Sequence, residues 1–83
     1  MSARQFEYVD VPLHRWRSWQ ATARLLGDHC YGLVLDLRAA ERDPTRCTLE
    51  RCAKTALMAS RAVRRALRDE AIQLAQDIHD VLH

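Results

Sequence analysis

Apolar residues recur every three or four positions along almost the whole chain, the spacing of amphipathic helices. One series runs Leu13, Trp16, Trp19, Ala23, Leu26, Cys30, Leu33, Leu37, Ala40. A second occupies residues 44 to 83, which hold no glycine and, after Pro44, no proline. There Leu49, Cys52, Ala56, Val63, Leu67, Leu74, Ile78 and Val81 line one face, flanked by Ala53, Ala59 and Ala71. This spacing predicts one long C-terminal helix over about 44–82, with Asp43 as N-cap and Pro44 at its first position. Alanine at so many contact positions lets helix axes approach closely.

Gly27 and Gly32 interrupt the first series, and each costs roughly 1 kcal/mol relative to alanine inside a helix. Gly27 suits a C-terminal cap and Asp28 the next N-cap, which predicts helices at 13–26 and 28–42. Pro12 suits the first turn of the earlier helix, where its missing N–H costs nothing. The first eleven residues read as an arm, with a short alternating patch from Phe6 to Val11.

The predicted fold is therefore all-α, a single domain over 1–83 with an N-terminal arm at 1–11. Its architecture is an antiparallel helical hairpin, or a three-helix arrangement, packed on the long last helix. A competing α+β reading exists because Tyr31, Leu33, Leu35 and Leu37 alternate. It makes 31–38 a strand paired with 5–11 in a two-stranded sheet.

Length modifies this picture. A chain of 83 residues buries only about 60 to 65% of the surface its unfolded form exposes, so a second copy or a partner would enlarge a modest core. With 48% apolar residues and 29% charged, the composition is that of a folded protein and excludes a disordered tail. The formal net charge is +2. Near neutrality disfavours both a strongly acidic mimic of nucleic acid and a dedicated, strongly basic nucleic-acid binder.

Three cysteines, Cys30, Cys47 and Cys52, cannot all pair within one chain, and neither an apolar leader nor a membrane-length apolar run is visible. The expected setting is a reducing cytoplasm, with free thiols and no membrane contact. Of the 13 basic residues all but Lys54 are arginine. That bias points to a GC-rich coding sequence of the kind found in bacteria and their phages.

The charges from Cys47 onward are sorted. Arg51, Lys54, Arg61, Arg64, Arg65 and Arg68 come first, against the single acid Glu50; Asp69, Glu70, Asp77 and Asp80 follow with no Lys or Arg. On a helix, Arg51, Lys54, Arg61, Arg65 and Arg68 fall in one stripe opposite the apolar face. A solvated surface explains such a stripe; so does a contact surface for an acidic protein or a phosphate backbone. The block order opposes the helix macrodipole, which calls for a compensating neighbour. One is the start of the first helix, with Arg15, Arg17 and Arg24. The other is an antiparallel homodimer in which the basic half of one long helix meets the acidic half of its twin.

Trp16 and Trp19, interleaved with Arg15 and Arg17, read either as core or as exposed interface anchors. Metal chemistry is weakly supported. His29, Cys30, Cys47 and Cys52 offer four zinc-type ligands, but Cys47 and Cys52 would point about 140° apart on a helix. His79 and His83 lack the glutamate of a metalloprotease helix and read as a favourable helix C-terminus.

No phosphate loop, nucleophile elbow or paired carboxylates accompany Ser18, Ser60 or His14, so neither an enzyme nor a cofactor is expected. What remains is a protein-binding module, a bacterial or phage regulatory inhibitor or adaptor. It would occlude a target protein of unidentified kind through Arg15, Trp16, Trp19 and the basic residues from Arg51 to Arg68. The alternative is a dimeric DNA-binding transcriptional regulator using the basic face.

Overall fold

A computed structural model describes residues 3–27 and 30–83. Among them are a short 3-10 helix (Ala3–Phe6) and four α-helices: α1 (Leu13–Leu25), α2 (Tyr31–Arg42), α3 (Arg46–Ala62) and α4 (Arg65–Val81). The fold is all-α, as the periodicity implies, and no strand occurs among the described residues. Segment 31–38, the strand of the competing reading, lies within α2. Its alternating Leu35 is exposed while Leu33 and Leu37 are fully buried beside Ala40 and Cys30, the period of a helix and not of a strand.

Helix boundaries follow local chemistry. Pro12 takes the N-cap position of α1, one residue earlier than expected, and its carbonyl accepts from the N–H of Arg15 and Trp16. At the other end Gly27 has φ +88°, the left-handed conformation that favours glycine, and its N–H donates to the Arg24 carbonyl. The predicted N-cap of the next helix, Asp28, lies outside the described residues.

α3 is capped by Thr45, not Asp43. The Thr48 N–H donates to Thr45 Oγ1 at 3.2 Å and the Thr45 N–H donates to Thr48 Oγ1 at 3.0 Å, a reciprocal capping box. The arm lies over this cap. Tyr8 and Thr45 form an isolated antiparallel bridge, with Val9 N–H donating to the Pro44 carbonyl at 2.7 Å and Arg46 N–H to Glu7 at 3.0 Å.

The expected helix over 44–82 is two helices. The chain leaves helical geometry at Val63 (φ −81°, ψ 163°) and Arg64 (φ −58°, ψ 148°) and turns back, so that α4 lies antiparallel along α3. Arg46, at the start of α3, accordingly donates from Nη2 to the Leu82 carbonyl at the end of α4 at 2.9 Å. Packing explains the reversal. A continuous helix over 44–82 would be about 58 Å long, against a longest molecular dimension of 38 Å. Its apolar face would also stay in water over half that length. Folding back buries Ala71, Leu74, Ile78 and Leu82 with Leu49, Cys52 and Ala56 in one core. Val63 joins that core, and its β-branched side chain tolerates the extended conformation of the turn.

Candidate functional site

Reversal of the chain redistributes the basic stripe. Arg51, Lys54 and Arg61 stay on the outer face of α3, whereas Arg64, Arg65 and Arg68 belong to the turn and the first turns of α4; all six are exposed. Arg61, Arg64, Arg65 and Arg68 therefore group at one end of the hairpin. The basic half and acidic half of the expected long helix now lie side by side within one chain. The macrodipole conflict persists in α4, where Arg65 and Arg68 stand in the first turn and Asp77 and Asp80 near the end.

The aromatic part of the predicted surface falls inside the protein. Trp16 is 6% exposed and Trp19 is 1% exposed. Their rings pack edge to face with centroids 5.3 Å apart. They act as core, and only half-buried Arg15 remains at that surface.

Two grooves flank α3. The α3–α4 groove is the larger, about 430 Å³. Its floor is Ala53, Leu57, Ile72 and Ala75, and its edges carry Glu50, Lys54, Gln76, His79 and Asp80. The α2–α3 groove is about 240 Å³ and is lined by Cys30, Gly32, Leu33, Thr55, Met58, Ala59 and Ala62. Gly32 and three small α3 residues form the depression. Thr55 Oγ1 donates to Asp36 Oδ2 at 2.7 Å and ties the two helices together beside it.

Met58 is the large side chain at this edge, and it is 61% exposed. With Arg51, Lys54 and Arg61 it makes a series spaced three, four and three residues apart, which is one helical face. On α2, Tyr31, Leu35, Arg38 and Arg42 are all exposed and similarly spaced. Charge-based reading of the sequence missed Leu57, Met58, Tyr31 and Leu35. Two adjacent large apolar residues lying off the core stripe of α3 are the feature that points to them.

The cysteines sit in chemically quiet surroundings. Burial pushes the Cys52 thiol up to about 12, with the Asp36 carboxylate adding to the rise and Arg51 opposing it. Burial also raises Cys30. Both thiols are protonated at neutral pH and are poor nucleophiles or metal ligands in that state. Among the described residues no group of three His, Cys, Asp or Glu side chains is placed to hold a metal ion; His29 lies outside them. His79 and His83 rings are in edge contact, with Nε2 atoms 3.1 Å apart. No helix among the described residues is long and apolar enough to cross a membrane. No family model, curated protein or solved structure matches this chain.

Proposed function

We propose that this protein is a non-enzymatic binding module, a bacterial or phage regulatory inhibitor or adaptor working in the cytoplasm, that occludes a target protein. Its contact surface is the outer face of α3 with the α2–α3 groove. The observation that carries this reading is Met58, exposed within a row of Arg51, Lys54 and Arg61 and beside an apolar depression. Exposed methionine adapts its shape to a partner, and arginine and aromatic residues such as Tyr31 are favoured where binding energy concentrates. The target face is therefore apolar at its centre and acidic around it.

The test is affinity capture from the native cytoplasm in parallel with a variant carrying Met58→Asp and Arg51→Glu. The expected result is a partner retained by the native chain and lost by the variant. Equal recovery of the same partner by both would exclude this surface. Clustering of Arg61, Arg64, Arg65 and Arg68 at the hairpin turn favours DNA binding as the second reading. It predicts duplex binding that weakens steeply with salt and disappears when Arg61→Ala is combined with Arg65→Ala.

A further inference from the structure

The larger groove has a charge order that the smaller one lacks. On its α3 wall Glu50 stands at the open end of the hairpin with Lys54 and Leu57 in the middle, and exposed Arg61 lies beyond the lining, one helical turn past Leu57 at the turn end. On its α4 wall Ile72, Gln76 and Asp80 line the groove at intervals of four, and exposed Arg68 continues that row one turn beyond the lining, so the sequence of charge is again basic at the turn end and acidic at the open end. Both walls share one polarity, and the floor between them is apolar.

We infer that the occupant of the α3–α4 groove is a second copy of this chain, docked groove to groove about a two-fold axis perpendicular to the hairpin. That axis exchanges the two ends, so Arg61 and Arg68 of each copy face Glu50 and Asp80 of the other. A two-fold contact must be self-complementary, and an end-to-end charge gradient on a flat apolar face satisfies that condition. The opposite, parallel docking sets like charges against each other at both ends. Lys54 and Gln76 lie near the middle, where long stems lead their polar heads outward.

Area supports an equilibrium dimer. Two 17-residue helices present a face about 25 Å long and 20 Å wide. Docking two such faces removes about 1,000 Å² from water, at the small end of specific interfaces. Dissociation is thus expected in the micromolar range. The docked face shares Lys54 and Arg61 with the proposed target-binding row, whereas Met58 and the α2–α3 groove stay uncovered.

Sedimentation velocity on the full chain tests it. The native protein is expected to sediment at twice its 9.6 kDa mass at about 200 µM and to dissociate on dilution to a few micromolar. One variant combines Arg61→Glu with Arg68→Glu, and a second combines Glu50→Arg with Asp80→Arg. Each is expected to dimerise at least about 30-fold more weakly than the native chain. An equimolar mixture of the two recovers the dimer, because an all-acidic groove then meets an all-basic one. Leu57→Lys, at a position already 50% exposed, is expected to give a folded monomer by circular dichroism.

A native chain that stays at 9.6 kDa at every concentration overturns the inference. A dimer indifferent to all these substitutions, or a mixture that stays monomeric while both components are helical, overturns it equally. So does a dimer lost only with Met58→Lys, which would place the contact in the other groove.

Discussion

The grooves on the two sides of α3 are built from similar material and differ in how charge is laid along them. In the α3–α4 groove both walls run from acidic at the open end to basic at the turn. Around the α2–α3 groove the exposed charged residues in the Met58 row and on the outer face of α2, Arg51, Lys54, Arg61, Arg38 and Arg42, are all basic, while the Asp36 carboxylate is held by Thr55. A gradient is complementary to its own reversed copy; a single sign repels it. The same helix can therefore face a twin on one side and an acidic stranger on the other. Exposed ion pairs contribute only about 0 to 1 kcal/mol each, so this division rests on orientation and exclusion, with the apolar floors supplying the attraction.

The strongest perturbation strikes the packing that creates the larger groove. Ile78 is fully buried between α4 and the rest of the core. Ile78→Ala is expected to lower unfolding free energy by about 2 to 5 kcal/mol, read from urea denaturation. Dimerisation should fall with it, since the groove walls are then no longer held parallel. A loss below about 1 kcal/mol would mean that α4 is not packed as described.

High pH attacks the opposite side of α3. The Cys52 thiol is pushed up to about 12 in the fold, from an ordinary value of 9.0. The folded chain therefore holds a proton that the unfolded chain releases. The resulting stability is complete below pH 9 and is lost as pH rises toward 12, at up to about 1.4 kcal/mol per pH unit. Comparing native protein with Cys52→Ala across that range isolates this contribution, and the native slope should be the steeper. Thiol labelling at neutral pH should modify partly exposed Cys47 well before buried Cys30 and Cys52.

A smaller change probes the tie between α2 and α3. Thr55→Val keeps the shape but deprives Asp36 of its 2.7 Å hydrogen bond. A bond to a charged group that is only part-buried predicts a loss of about 1.5 kcal/mol. Because α4 is untouched, the dimer should persist while capture of the target weakens.

Legibility of these features in the sequence follows their physics. Of the first apolar series only Leu13 is exposed; Trp16 through Ala40 form the core at helical spacing, because a surface helix must bury one stripe. Gly27 was readable because no other residue so readily adopts its backbone angles. The reversal at Val63 and Arg64 was not. Neither residue breaks a helix locally, and the apolar positions Ala56, Val63 and Leu67 continue in helical step across the break. What bends the chain is burial gained between distant residues, such as Leu49 and Ile78, and no local pattern records that. The basic residues were legible as a group, but their division between a helix face and a turn depended on the reversal. Leu57 and Met58 escaped because they lie off the core stripe, where an apolar residue has no packing role to announce it.

The smallest effect on stability carries the sharpest test of the comparison. Leu57 and Met58 are neighbours in sequence, yet one lines the α3–α4 groove and the other the α2–α3 groove. Both are at least half exposed, so Leu57→Lys and Met58→Lys should each change unfolding free energy by less than about 0.5 kcal/mol. Their binding effects should nevertheless separate. Leu57→Lys is expected to abolish the dimer and leave target capture intact, because the added ammonium enters only the self-docking face. Met58→Lys is expected to do the reverse, since it removes the apolar centre of the other surface while leaving the charge gradient unaltered. If both substitutions abolish the same interaction, the two grooves act as one surface wrapped around α3. The gradient would then specify the direction of a single partner rather than the symmetry of a pair.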